Sequence, residues 1–318
     1  IRSRGRNAGC GLAGGRRPIL RGRSVWLWDG LDCLEQHYDV AAVSIPCGCR
    51  VRTVGRKRIA VGVGVAMAAL IGVGVYLTLR DNAEPVGIEA AKERIAEAAA
   101  PKGSAESRRP EPGVYRYEGS GTESLSTPPL SQGQGPTMPG TVELGDDGCW
   151  TFRIDYSPNH WQTWDQCPQG DDVVETGGKA WQRWMIGPTA ITNLSDFTCA
   201  DGAMRLPADP EDDQEWTARC TGTNEAVEGE AVSEGTYRFI GEKKIKVADA
   251  TVTAHGFVSE RTMSGAQTGT ERNEMWFAAD TGLQVRNERT AEVRTDTPIG
   301  ESTYTETGEF HLVSVDPG

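Results

Sequence analysis

Apolar and polar residues alternate regularly over the last two thirds of the chain. In the segment CWTFRIDY, Trp150, Phe152, Ile154 and Tyr156 share one parity, and the residues between them are polar or charged. Because successive side chains of a strand point to opposite faces, this period of two is typical of a strand with one buried face. The same alternation recurs at Tyr115 and Tyr117, Tyr237 and Phe239, Ile245 and Val247, Leu283 and Val285, and Phe310 and Leu312.

Short runs of glycine and turn-forming polar residues separate these strand segments. Gly145–Gly148, Thr176–Gly178 and Asp280–Gly282 have the composition of hairpin turns. Gly119–Gly140 is rich in small residues and proline, has few side chains to bury, and is predicted to be a mobile loop. Residues 113–318 show no helical stripe and are therefore predicted to form a mainly β domain, an antiparallel meander sheet.

One long apolar stretch precedes this domain. Ile59–Leu79 contains 21 residues without a charge or a proline, and about 20 such residues are needed for a helix to cross the hydrocarbon core. Arg56, Lys57 and Arg58 lie directly before the stretch, so the positive-inside rule predicts a cytoplasmic N-terminus. The sequence therefore predicts a single-pass plasma-membrane protein with its C-terminal domain outside the cell. No A-x-A-like site follows the stretch, which favours an uncleaved signal anchor over a cleaved signal peptide.

The first 58 residues differ in character from the rest. Residues 1–58 hold 12 Lys or Arg and 4 Asp or Glu, and they show no sustained helix or strand period. They are predicted to be a basic cytoplasmic segment. A second hypothesis is that translation begins near Val51 or Val54, because VGRKR and the following apolar run form a complete export signal, and that the preceding residues are a misassigned extension.

Small residues follow one face of the predicted membrane helix. Gly64, Ala68 and Gly72 are spaced four residues apart, and small side chains at this spacing allow a second helix to approach closely. A homodimer through this face is one hypothesis. The alternative is the ordinary abundance of Gly and Ala in membrane spans.

Residues 80–112 are predicted to connect the membrane helix to the β domain. Val86–Ala100 consists of strong helix formers. The following PKGSAESRRPEP breaks the helix and has the composition of a flexible spacer. The sequence thus predicts a helical stalk and a linker.

Net charge limits the classes of partner. The chain carries a net charge of -12, and the basic first 58 residues leave the remainder more acidic still. Nucleic acids and anionic lipid surfaces are bound through clustered Lys and Arg, so an acidic domain is not expected to bind either. Nucleic acid is therefore excluded as a predicted partner.

The eight cysteines divide evenly around the apolar stretch. Only the later four, Cys149, Cys167, Cys199 and Cys220, have the spacing of a disulfide framework in an exported domain. Four cysteines allow three pairings. Short loops in a meander hold sequence neighbours close, which favours Cys149 with Cys167 and Cys199 with Cys220.

Catalytic and metal-binding signatures are missing from the sequence. It contains no nucleophile elbow, Walker A loop, zincin motif or dinucleotide fingerprint. His160, His255 and His311 are far apart in sequence, and the acidic run Asp209–Glu215 does not have the spacing of an EF-hand loop. The sequence therefore predicts no enzyme, no cofactor and no metal, and it assigns these residues to structural or solvated positions.

Aromatic residues are the most concentrated candidate for a binding site. The five tryptophans that fall within 35 positions are Trp150, Trp161, Trp164, Trp181 and Trp184. Their large faces need either a core or a ligand, and core packing is the default explanation. The alternative is a concave sheet whose rings hold an apolar ligand.

Three stretches carry a resemblance to known proteins. NHWQTWDQC, ETGGKAWQRW and the ending that starts with MWFAADTGLQVRNERT resemble actinobacterial single-pass envelope proteins of unassigned function, over most of residues 113–318. The turn from Trp276 to Leu283, followed by Arg286 and Arg289, is also similar to the closing hairpins of LolA-type and LppX-type carriers. That resemblance implies an antiparallel sheet curled into a half-barrel, with an apolar cavity and no catalytic chemistry.

These observations predict a membrane-anchored binding module outside the cell. The expected ligand is an apolar or lipid-like envelope molecule, because the predicted sheet carries a tryptophan cluster and the sequence contains no catalytic motif. The alternative is a scaffold or sensor domain that binds another envelope protein through a sheet edge.

Overall fold

The computed structural model describes residues 84–97, 108–200, 205–297 and 300–318. Within these ranges the chain forms one α-helix, α1 (Ile88–Glu97), one 3₁₀ turn (Asp146–Gly148) and fourteen strands. The strands are β1 (Gly113–Ser126), β2 (Pro129–Gln134), β3 (Thr137–Leu144), β4 (Trp150–Ser157), β5 (His160–Gln169), β6 (Asp172–Ile186), β7 (Thr189–Cys199), β8 (Arg205–Leu206), β9 (Glu215–Asn224), β10 (Glu230–Val247), β11 (Ala250–Gly265), β12 (Gln267–Ala278), β13 (Gln284–Thr297) and β14 (Gly300–Leu312).

The predicted membrane helix cannot be compared with the structure. Residues 1–58 and Ile59–Leu79, with the Gly64, Ala68 and Gly72 face, lie outside the described residues. In the part of the chain that is described, no helix has the length and apolar character needed to cross a membrane.

The strands form one antiparallel sheet that closes on itself. From β3 to β14 each strand pairs with its neighbour in the chain, apart from the short β8, which pairs beside β6 so that β7 joins β9. β1 pairs with β3 along its first half and with β2 along its second half, so β2 and β3 act as one interrupted strand. On its other side β1 pairs with β14, from Tyr117 opposite Leu312 to Leu125 opposite Tyr304.

The result is a twelve-stranded barrel within the described ranges. The prediction of a mainly β, antiparallel meander is confirmed. The prediction of a half-barrel is wrong, because the first and last strands are both long enough to pair over nine residues and close the sheet.

Gly119–Gly140 is not a loop. It contains the second half of β1, all of β2 and the first part of β3. A Cβ on Gly119 would collide with the carbonyl oxygen of Glu309, and one on Gly140 would collide with the ring of Tyr117. Small residues are therefore required here by close packing of strands, and they do not indicate a loop.

The predicted turn at Thr176–Gly178 is also wrong, since these residues continue β6. A Cβ on Gly178 would collide with the carbonyl oxygen of Thr163 in β5, next to an irregularity in the β5–β6 register. The other two predicted turns lie between strands, Gly145–Gly148 between β3 and β4 and Asp280–Gly282 between β12 and β13.

One end of the barrel is filled by apolar side chains. Trp150, Phe152, Ile154 and Tyr156 are all buried, as their shared parity predicts. They belong to a core cluster that includes Tyr115, Tyr117, Met138, Val142, Phe257, Phe277, Phe310 and Leu312. The Tyr117 hydroxyl donates a 2.6 Å hydrogen bond to the carbonyl oxygen of Gln284 across this core. This packing closes the barrel at the end where β3 turns into β4 and β12 turns into β13.

Two disulfides join neighbouring strands. Cys149 bonds to Cys167 where β4 begins beside β5, and Cys199 bonds to Cys220 directly across the β7–β9 pair. The predicted pairing of sequence neighbours is confirmed.

The helix α1 lies against the outside of β1 and β3. Ala91 is completely buried there, and Val114 and Thr141, which pair on the outward-facing parity of the two strands, are buried too. Arg94 forms a 2.7 Å ion pair with Asp155 on β4. Residues that the sequence assigned to a stalk are thus packed on the wall of the barrel.

Candidate ligand cavity

The half of the barrel opposite the apolar core encloses a cavity of about 630 Å³. Its walls are inward-facing side chains, mainly from β5–β7 and β9–β14. Residues in or near the β1–β2, β6–β7, β9–β10, β11–β12 and β13–β14 connections surround it at the end away from the core. The apolar part of its lining includes Leu125, Trp164, Trp184, Ile191, Met263 and Val293.

The structure separates the five tryptophans proposed as a ligand site. Trp164 and Trp184 line the cavity, whereas Trp150 is buried in the apolar core at the other end. Trp161 and Trp181 face outward, where their rings stack 6.2 Å apart and the guanidinium of Arg153 lies 4.2 Å from the Trp161 ring. Alternation along β5 and β6 causes this division, because positions of opposite parity point to opposite sides of the wall.

Charged side chains occupy the middle of the barrel. Arg289 on β13 lies between two carboxylates, with its Nη2 3.2 Å from Glu271 Oε2 and its Nε 3.4 Å from Glu306 Oε2. It also donates a hydrogen bond to the side chain of Gln162. Burial disfavours the charged guanidinium, but Glu271 and then Glu306 outweigh burial and raise the pKa of Arg289 well above its usual value.

A second buried pair connects β1 and β5. His160 Nδ1 lies 3.1 Å from Glu123 Oε2, and both side chains are buried almost completely. Gln132 and Gln182 donate further hydrogen bonds to Glu123, of 2.7 and 3.2 Å. Burial lowers the pKa of His160, but the charge of Glu123 and its hydrogen bond more than compensate, so the pKa of His160 is raised.

Tyr304 and Glu306 on β14 link the two charged pairs. The Tyr304 hydroxyl lies 2.9 Å from Glu123 and 2.9 Å from Glu306, and its single proton is donated to one carboxylate at a time. Gln134 donates a 2.9 Å hydrogen bond to the other oxygen of Glu306. Burial opposes ionisation of Glu306, but Arg289, followed by His160 and these donors, outweighs it and lowers the pKa of Glu306.

A third pair lies on the β6–β11 side of the cavity. Arg261 Nη2 is 3.5 Å from Glu175 Oε1 and donates a hydrogen bond to the Tyr237 hydroxyl. Burial raises the pKa of Glu175, and Arg261 only partly opposes this shift. Glu175 also approaches the sulfurs of Cys199 and Cys220. Because those sulfurs form a disulfide, they have no thiolate to offer, and the group is not a metal site.

Two polar side chains of the cavity lining have no hydrogen-bond partner within the described residues. Asn287 on β13 is 1 % exposed, and neither its Nδ2 nor its Oδ1 is paired. The buried hydroxyl of Ser302 on β14 is unpaired as well. Buried polar groups are normally satisfied, and leaving one unpaired costs about 1–3 kcal/mol. Both side chains therefore have hydrogen-bonding groups to offer a ligand, but these atoms are covered, and each side chain must rotate before they face the cavity.

The charged interior was missed by the sequence analysis. A signal for it exists, because the buried parity of Phe310 and Leu312 continues backwards along β14 to Glu306 and Tyr304. Polar residues on the parity of a core face are the pattern to look for.

Comparison with protein families, with curated proteins and with solved structures finds no match to this chain.

Proposed function

We propose that this chain is a ligand-binding module of the cell envelope that holds an amphipathic small molecule inside its barrel. One observation carries the proposal. The closed barrel contains a cavity of about 630 Å³ whose wall includes Asn287, a buried side chain with an unpaired amide. A site for a small molecule combines such a cavity with a few polar groups that orient the ligand.

The size and chemistry of the cavity support this assignment. Sites for small molecules have volumes of roughly 300–1,000 Å³ and mostly apolar walls. Here Trp164, Trp184 and Met263 supply apolar wall, and Asn287 and Ser302 supply hydrogen-bonding groups. The ligand is accordingly amphipathic, with an apolar body and a polar group that reaches the charged middle of the barrel.

The proposed location rests on two further features. Disulfides form and persist in oxidising compartments, and the domain contains two of them. The apolar stretch Ile59–Leu79 has the length of a membrane span. We therefore propose that the stretch anchors the chain in the plasma membrane and that the barrel lies outside the cell.

The alternative of a protein scaffold has less support. Among the described residues Ile191 is the large apolar side chain that is exposed, and it belongs to the cavity lining. Apart from the half-buried, stacked pair Trp161 and Trp181, the outer face of the described residues thus shows no large apolar side chains of the kind that mark many protein interfaces.

Blocking the cavity tests the proposal. Ala291 lines the cavity, so Ala291→Phe should fill part of it, while Thr290→Phe adds the same ring to the exposed outer face of the same strand. The full chain in phosphatidylcholine nanodiscs is titrated with N-phenyl-1-naphthylamine, whose emission rises in apolar surroundings. The wild type and Thr290→Phe should give a saturable signal that Ala291→Phe has largely lost.

Two checks make the result decisive. Circular dichroism establishes that each variant keeps its sheet, and Val293→Trp provides a second blocking variant nearer the mouth. Equal probe binding by the wild type and by folded blocking variants would refute the proposed function.

A further inference from the structure

The charged groups inside the barrel do not balance. In the described part of the chain, the buried or partly buried ionisable side chains around the cavity are four carboxylates, Glu123, Glu175, Glu271 and Glu306, and three basic groups, His160, Arg261 and Arg289. Lys179 and Glu225 also line the cavity, but both are exposed and their charges cancel. With every group ionised, the interior carries one more negative than positive charge. An uncompensated charge away from water is unfavourable, so this excess calls for a counter-charge.

The geometry places the excess negative charge at Glu271. Arg289 is shared by two carboxylates, and one guanidinium neutralises one of them. Glu306 has two further donors, Gln134 and Tyr304, and its side chain is 1 % exposed, whereas Glu271 has one further donor, Asn273. Glu271 lines the cavity with its side chain 22 % exposed. It is therefore the carboxylate that a ligand can reach.

The other groups of the lining suit a positive charge. Trp164 and Trp184 present aromatic rings to the same cavity, and aromatic faces attract cations. The unpaired Oδ1 of Asn287, once the side chain rotates towards the cavity, can accept a hydrogen bond from an ammonium group, which offers three donors. An anionic group would add to the existing excess of negative charge, and both arginines are already engaged by carboxylates.

We infer that the ligand of this cavity is a cationic amphiphile, an apolar body that carries an ammonium group, and that Glu271 is its counter-ion. This inference rests on the proposed function, because it names the class of molecule that the same cavity binds. It predicts discrimination by charge among molecules of equal apolar size.

Three amphiphiles with the same decyl chain test it. Decylammonium, decanol and decanoate are titrated below their micellar concentrations into the full chain in phosphatidylcholine nanodiscs, and binding is measured by calorimetry. Empty nanodiscs and the Ala291→Phe chain give the contribution of the lipid. Decylammonium should bind roughly tenfold more tightly than decanol, which corresponds to about 1.4 kcal/mol, and decanoate should bind most weakly.

A variant that neutralises Glu271 tests whether this carboxylate causes the preference for decylammonium. Glu271→Gln should remove the preference for decylammonium over decanol. Glu288→Gln makes the same change in charge on the outer face of the neighbouring strand β13, where the side chain is 46 % exposed, and should keep the preference. The comparison of the three amphiphiles on the wild type does not depend on the folding of any variant.

The outcomes separate the two proposals. Decanol or decanoate bound as tightly as decylammonium, or a preference that survives in Glu271→Gln, would overturn the cationic ligand and leave the binding function standing. Binding of all three no better than to Ala291→Phe and empty nanodiscs would overturn the binding function itself.

Discussion

His160 Nδ1 lies 3.1 Å from Glu123 Oε2 in the interior of the barrel, and the two side chains are 1 % and 0 % exposed. The contact joins β1 to β5, two strands that are not neighbours in the sheet. The contact therefore spans the barrel interior, and it makes the stability of the fold depend on the protonation state of the His160 imidazole.

Stability should fall as the pH rises through the titration of His160. The folded-state pKa of His160 lies above its ordinary value of 6.5, despite burial, because Glu123 stabilises the imidazolium. A raised pKa means that the pair stabilises the fold fully below pH 6.5, and that this contribution is lost as the pH rises through the folded-state pKa. Urea unfolding of the wild type over a pH series measures the decline.

Other groups titrate in the same series, so variants are needed to isolate this one. His160→Gln should be less stable than the wild type at low pH, and the difference between the two should shrink as the pH rises. His311→Gln, on an exposed position of β14, should follow the wild-type curve. A wild-type advantage over His160→Gln that is independent of pH would contradict the assignment.

Removal of Arg289 should destabilise the protein strongly. Arg289→Met leaves Glu271 and Glu306 without their shared cation, and breaking a buried ion pair by removing one partner costs about 3–5 kcal/mol. Chemical denaturation measures the loss. Adding Glu306→Gln to Arg289→Met should restore part of it, because one of the unpaired charges is then gone.

Arg286→Met is the matched control. Arg286 lies on the same strand, with its side chain 46 % exposed and paired to Glu288. An exposed ion pair contributes about 0–1 kcal/mol. If Arg289→Met and Arg286→Met lowered the free energy of unfolding equally, the interior ion pairs would not stabilise the barrel more than an exposed pair does.

Asn287→Leu should stabilise the empty protein and weaken ligand binding. The substitution keeps the branched shape of the side chain and removes a buried amide that has no partner among the described residues, so a gain of about 1 kcal/mol is expected. Denaturation in the absence of ligand and calorimetry with decylammonium measure the two effects. The contrast would show that this position serves binding at the expense of stability.

Asn273→Leu tests whether the gain is specific to an unpaired amide. The Asn273 amide donates a 2.5 Å hydrogen bond to Glu271, so its removal should destabilise the fold. Loss of stability in Asn287→Leu as well would indicate that Asn287 already has a partner in the folded protein.

The second disulfide should contribute about 3 kcal/mol, because its 21-residue separation restricts the unfolded chain. The paired substitution of Cys199 and Cys220 by serine, compared with the wild type in urea, measures this contribution.

The proposed location outside the cell predicts that all four cysteines are oxidised in living cells. In cells quenched with acid and treated with an alkylating reagent, Cys149, Cys167, Cys199 and Cys220 should all be protected, and four alkylated thiols would refute an oxidising compartment.

Local features of the fold could be predicted from the sequence. The parity of Trp150, Phe152, Ile154 and Tyr156 gives a strand and its buried face, since both depend on adjacent residues alone. The disulfide pairing followed from the shortness of meander connections. These inferences needed no knowledge of distant contacts.

Closure and the cavity depend on contacts that no local pattern contains. Glu123 meets Tyr304 over a separation of 181 residues, and neither segment alone indicates the other. In β1 the small residues that permit close pairing, such as Gly119 and Gly121, have the composition of a loop. The tryptophans, in contrast, divide as a count of parity along β5 and β6 predicts, with Trp164 and Trp184 inward and Trp161 and Trp181 outward.

Because β14 is the last of the described strands and the one that closes the sheet, the binding site is incomplete until β14 has been synthesised. A chain that stopped before Gly300 would leave one edge of β1 and one edge of β13 unpaired, and it would lack Tyr304 and Glu306. Unpaired strand edges promote association with other chains. Incomplete or clipped molecules should therefore be removed as aggregates or by proteases, and would not persist as a partly active pool.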